Sequence, residues 1–273
     1  MKKWKIAAAV LGMTVCAAGT VSAAENAAPS GEVYVFIAAS LGNAMEEIKE
    51  GFEKQYPDVE ILYNADSSGT LQVQIEEGAR CDIFFSAARK QMDALSEEKL
   101  IVEGTDTDIL ENKVVLIKPS GQETEVTGFE DITKADNLAM AGESVPVGQY
   151  AREIFTNLDM MDEVEQMEIN EGKNVSEVLA AVSEGSNEVG IVYQTDAASA
   201  KDSVEILAEA PEGSLETPVR YPAGIVNDPE ASDEEKEAAK LFFEYLQSDK
   251  VQEIYEKYGF TVIEDNEEEE TAS

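Results

Sequence analysis

Residues 33–39, VYVFIAA, form an almost unbroken apolar run of strand length, and Ala44, Met45, Ile48 and Phe52 then recur at helical spacing. The first pattern is that of a strand buried on both faces, the second that of an amphipathic helix. The period changes between Ser40 and Asn43, so a strand delivers a serine to the start of a helix. Further strand patterns fall at 59–64, 82–86, 113–118, 138–141, 188–193, 204–207 and 218–226, with helical patterns near 42–56, 69–78, 89–98, 148–158, 175–184 and 232–257. Such alternation predicts an α/β protein with mostly parallel strands. Eight strands and at least six helices can build one sheet or two lobes, and periodicity leaves that choice open.

Four of the strand-to-helix junctions share one design. A helix start presents unpaired N–H groups and the positive end of its dipole, and so can hold an oxyanion without Lys or Arg. The junctions are Ala38-Ala39-Ser40, then Asp66-Ser67-Ser68-Gly69-Thr70, then Val145-Pro146-Val147-Gly148, and Lys173-Asn174-Val175-Ser176, where Asn174 is placed to cap the helix beginning at Val175. Each alone is an ordinary turn, and two readings of Ser40 stand: a helix cap or an anion donor. Tyr193, ending the run GIVY, either packs the edge of the core or offers its phenol. Asp66, Asp82 and Asp196 lie near these segments, where capping and hinge roles are expected rather than acid/base or metal chemistry.

Composition narrows the chemistry. With 43% hydrophobic and 28% charged residues in 273, the chain is a globular protein with apolar material for one large domain or two lobes. It has no histidine, which excludes Ser-His-Asp triads, Cys-His pairs and histidine metal sites. Neither Ser40 nor Ser68 has a lysine at SxxK spacing, so an exported serine hydrolase finds no base, and no enzyme is expected. The acidic residues are scattered rather than clustered in loops, which argues against a collector of divalent cations.

Lys2, Lys3 and Lys5 precede an apolar run and Val21-Ser22-Ala23 offers small residues at signal-peptidase spacing, so residues 1–24 read as a signal peptide. Its loss takes the formal charge from −37 to −40, a surface that seeks neither nucleic acid nor anionic lipid. Cys16 allows a lipoprotein, but Val15 stands where a lipidated cysteine normally follows Gly or Ala, and soluble export to the periplasm or cell surface is favoured. Cys81 is then the remaining cysteine, which excludes an internal disulfide. Residues 263–273 read as a solvated acidic tail.

The strings VFIAASLGNAMEEI, SSGTLQVQIEEGARCDIFFSAARKQMD, VPVGQYAREIF, NVSEVLAAV, GIVYQTDAAS and YEKYGF resemble, in order and separation, the molybdate-binding proteins of ABC transporters, over about residues 32–262. The resemblance implies a type II periplasmic binding protein, with lobe I at 32–112 and 222–262, lobe II at 113–221, and the ligand in the cleft between them. It implies a molybdate or tungstate ligand held by Ser40, Ser68, Val147, Val175 and Tyr193: hydroxyls and backbone N–H at the serines, backbone N–H at the valines, phenol at Tyr193. The molybdenum would be bound as the oxyanion, with no residue acting as a direct cation ligand and no cofactor. The implied partner is a membrane permease, the implied state a monomer. Sulfate, thiosulfate or another tetrahedral oxyanion is the alternative ligand. Gly69 stands where some relatives have a serine or a similar small residue and is expected to leave the donor set untouched.

Overall fold

The computed structural model describes residues 29–263. The proposed signal peptide with Cys16, and the acidic stretch from 264 onward, lie outside the described residues. The chain begins as β1 (Gly31–Ala38), which buries Val33, Val35, Phe36, Ile37 and Ala38. A 3₁₀ turn, Ala39–Leu41, leads into α1 (Gly42–Gln55), whose buried residues are Ala44, Met45, Ile48 and Phe52. β2 (Val59–Asp66), α2 (Ser68–Glu76), β3 (Ile83–Phe85), α3 (Arg89–Glu97) and β4 (Thr107–Asn112) follow.

After the single residue Lys113 the chain enters a second sheet through β5 (Val114–Pro119). Beyond a 3₁₀ segment, Phe129–Lys134, come β6 (Leu138–Ala141), α4 (Pro146–Asn157), α5 (Met161–Val164), β7 (Ile169–Gly172), α6 (Val175–Ser183), β8 (Val189–Tyr193), α7 (Gln194–Ser199) and β9 (Val204–Glu209). The return is β10 (Val219–Ile225), followed by α8 (Asp233–Leu246), α9 (Asp249–Lys257) and β11 (Thr261–Val262).

The sheets run β11-β4-β10-β3-β1-β2 and β7-β6-β8-β5-β9. The chain is therefore two-lobed, and two connections cross between the lobes, β4 to β5 and β9 to β10. β10 pairs with β4 from Val219 onward, three residues before the expected return at 222.

The expectation of mostly parallel strands is corrected. β1 pairs in parallel with β2 and β3, and β6 with β7 and β8. The pairings of β10 with β3 and β4, of β11 with β4, and of β5 with β8 and β9 are antiparallel. The cause is the double crossing: β10 comes back into the first sheet opposite in direction to β4 and must lie beside it. β4, β7 and β11 lack the apolar runs of the central strands, and their pairing with distant partners decides their conformation.

The long helical pattern at 232–257 is broken at Ser248, which is extended (φ −76°, ψ 150°) and donates its hydroxyl back to the Tyr245 carbonyl at 2.7 Å. α8 packs on α1 through Phe242, edge-on to the fully buried Phe52 at 4.8 Å. Burial of a ring of this size contributes roughly 1.5–3 kcal/mol.

Candidate functional site

The ends of β1, β2 and β8 and the starts of α4 and α6 converge on one cavity between the lobes. Ser40, Ser68, Val147, Val175 and Tyr193 all line it, together with Asp66, Ser67 and Asn174. At about 10 Å³ it is on the scale of a single water site, far below the roughly 300–1,000 Å³ of pockets for organic ligands. Larger hollows exist: one of about 540 Å³ beside Arg80 and Asp228 lies away from these junctions, and one of about 460 Å³ is bordered by Ser40 together with Asn43, Thr195 and Lys257. No Lys or Arg lines the cavity among the described residues.

Ser40 does not cap α1. It sits in the 3₁₀ turn, the residue at the cap position of α1 is Leu41, and no side chain caps that helix. The Ser40 Oγ lies instead 2.9 Å from the Tyr221 hydroxyl, on the strand that returns from the second lobe.

Ser68 is also not a cap, because Ser67 takes that role by accepting the Thr70 N–H at 3.2 Å. The Ser68 Oγ accepts the Ala87 N–H at 2.9 Å in a fully buried setting. A hydroxyl has one proton, and an N–H can only donate. The Ser68 proton is thereby left for another acceptor.

Ser68 and Val175 are the first residues of their helices and Val147 the second of its own. Helix geometry gives such amides no intrahelical acceptor, and no other protein acceptor takes them among the described residues. Asn174 caps α6 by accepting the Glu177 N–H at 3.1 Å. Gly148 lets α4 start hard against the end of β6, where a Cβ would overlap the Ala141 and Gly142 carbonyls. The Tyr193 hydroxyl is buried without a partner of hydrogen-bond geometry among the described residues, and burial holds its pKa well above the usual phenol range. It is a neutral donor.

A sequence model described as bacterial extracellular solute-binding protein matches residues 33–261. The chain belongs to this family. A Bacillus subtilis protein named as an ABC transporter substrate-binding lipoprotein, YvgL, is 38% identical over 95% of this chain and 98% of its own length. The molybdate-binding protein ModA of Haemophilus influenzae is 36% identical, covering 86% of this chain and 91% of its own. Among solved structures, the periplasmic molybdate-binding protein of Azotobacter vinelandii superposes with a TM-score of 0.71 at 22% identity, over 85% of this chain and all of that one. It shares the fold.

In this solute-binding protein the charged groups nearest the cavity are engaged elsewhere. Asp66 Oδ1 accepts the Ser67 N–H at 2.7 Å and the Asn174 side-chain amide at 3.2 Å, the latter a bond between the lobes. Arg152 donates to the Ala141 and Gly148 carbonyls at 2.8 and 3.0 Å and to Glu171 at 2.8 Å. It braces the start of α4 rather than the cavity. Asp82 accepts the Tyr34 N–H at 2.7 Å, within the first lobe. Asp196 accepts the Tyr193 N–H at 3.1 Å, and burial pushes its pKa up to about 7. Cys81 is buried, which raises its thiol pKa well above the ordinary value and leaves it inert.

Sequence reasoning missed Asn112, Thr195 and Tyr221. They are buried and bonded to one another or to Ser40 at the junction of the lobes. Nothing local marks them: Tyr221 lies in the strand VRYPAGI, where an aromatic reads as core.

Proposed function

We propose that the protein captures molybdate, and tungstate with it, outside the cytoplasm and delivers it to the permease of an ABC transporter. The ion is taken up one per monomer, by Ser40, Ser68, Val147, Val175 and Tyr193, between the lobes built on the two sheets. The observation that carries the reading is the composition of the cavity wall: converging hydroxyls and free amides with no cation among the described residues, the one carboxylate, Asp66, being held by the Ser67 N–H and the Asn174 side chain. A tetrahedral dianion satisfies such donors with four oxygens, and each charge-assisted bond contributes about 1.5–3 kcal/mol. Micromolar to nanomolar binding needs about −8 to −12 kcal/mol net. Hydrogen phosphate, whose O–H would meet few acceptors, is disfavoured by the same wall. An ion of five heavy atoms is larger than this cavity, so the wall yields locally around it while the lobes stay in contact at Gly69 and Ser144. The names of the Haemophilus influenzae and Azotobacter vinelandii proteins support the choice of ion. The lipoprotein name of the Bacillus subtilis relative reopens Cys16 as an anchor, which mass spectrometry of the exported protein decides.

Calorimetric titration of the mature chain with molybdate, tungstate, sulfate and phosphate tests the function. One molybdate or tungstate per chain is expected, with sulfate and phosphate far weaker. A sulfate isotherm as tight as that of molybdate overturns the ligand assignment and leaves the fold.

A further inference from the structure

Asn112 ends β4, at the first crossing between the lobes, and Tyr221 lies on β10, which follows the second crossing. The Lys113 N–H donates to Asn112 Oδ1 at 2.9 Å. Because a backbone N–H can only donate, this bond fixes which way the amide faces, and Nδ2 must be the atom turned toward the hydroxyls. Its two protons go to Thr195 Oγ1 at 2.9 Å and to the Tyr221 oxygen at 3.1 Å. Tyr221 is fully buried, and burial keeps its phenol neutral by raising its pKa well above the ordinary value. Two hydroxyls face its own proton, and of these Ser40 Oγ at 2.9 Å is within hydrogen-bond geometry whereas the Tyr193 hydroxyl is not. The arrangement that leaves no buried donor unpaired therefore runs Asn112 to Tyr221 to Ser40.

We propose that Tyr221 and Asn112 are positioning residues that set the direction of the Ser40 hydroxyl and make it an obligatory donor to the captured anion. The inference rests on the proposed oxyanion site and deepens it. With one of its two lone pairs taken by Tyr221, Ser40 is left to turn its proton to the cavity and meets a ligand oxygen as a donor. Ser68, which accepts the Ala87 N–H, is set in the same way. Selection for fully deprotonated oxyanions thus depends on two buried residues at the crossings that never touch the ion. Thr195, on α7 of the second lobe, ties the same chain of bonds to both lobes.

The test is a double-mutant cycle. Molybdate, sulfate and phosphate are titrated near neutral pH into wild type, Tyr221→Phe, Ser40→Ala and the double variant, with Tm recorded for each. Tyr221→Phe is expected to weaken binding of the preferred ion by about five- to tenfold and to narrow its advantage over hydrogen phosphate, since Ser40 regains the freedom to accept. Both effects should vanish in the Ser40→Ala background. Asn112→Asp turns the first donor into an acceptor and should cost more when Tyr221 is present than in the Tyr221→Phe variant. If Tyr221→Phe binds like wild type, or loses the same factor with and without Ser40, the relay is overturned and Tyr221 is packing alone. A wild type that prefers sulfate refutes the molybdate assignment while the cycle still reads the coupling. One that binds neither ion overturns both.

Discussion

Gly69, at the start of α2 in the first lobe, abuts the backbone carbonyl of Ser144 in the second, and a Cβ at Gly69 would overlap that oxygen. The glycine is there for the approach of the lobes. A backbone carbonyl cannot swing aside as a side-chain tip can, so a methyl group holds the lobes apart. Gly69→Ala should leave Tm nearly unchanged and weaken ligand binding by about tenfold or more, mainly through faster dissociation. Titration together with small-angle scattering of the liganded protein checks this. An unchanged affinity and an unchanged radius of gyration would show that the lobes close without this contact.

Ser68 has two tasks. Its Oγ accepts the buried Ala87 N–H, and its remaining proton has no protein acceptor among the described residues. Ser68→Ala should therefore weaken oxyanion binding by about 1–3 kcal/mol and also lower folding stability by about 1–3 kcal/mol, the cost of an orphaned buried amide. Calorimetry and urea denaturation separate the two. A variant with full stability and reduced affinity would mean that the Ala87 amide has found another acceptor.

Val175 separates main chain from side chain. As the first residue of α6 it can be replaced by proline with little strain, but proline has no N–H. Val175→Pro should lose roughly 1.5–3 kcal/mol of binding, while Val175→Ala, which trims a buried side chain, should lose stability and keep affinity. Equal binding losses in the two variants would assign the effect to the side chain.

Asp196 gives a pH dependence with a definite sign. Its folded pKa of about 7, raised by burial, exceeds the unfolded value of about 3.9. Between these values the folded state keeps a proton that the unfolded state has lost, so stability falls as pH rises from about 4 to about 7 and then levels. Asp196→Asn can still accept the Tyr193 N–H and has nothing to titrate. The variant should gain on wild type by up to about 1.4 kcal/mol per pH unit within that window. Denaturation at pH 5, 6 and 8 measures it, and parallel curves for the two proteins would remove Asp196 as the cause.

What the amino-acid order determined by itself is everything that depends on near neighbours. The apolar run of β1, the helical spacing of Ala44 to Phe52 and the cap at Asn174 involve partners within a few residues, and period and capping chemistry suffice to read them. The resemblance carried by AAS, SSGT, VPVGQ, NVSE and GIVYQTDA also named five residues that line one cavity in the structure. Tertiary structure decided the rest. Ser40 reads locally as a helix cap, yet its partner is Tyr221, 181 positions away. β4 carries no strand pattern of its own and is a strand because β10 and β11 pair with it. The place of Gly69 follows from a carbonyl on the other lobe. Each of these rests on hydrogen bonds or steric contacts closed by long loops, whose partners are chosen by the packing of two sheets and leave no periodicity in the chain.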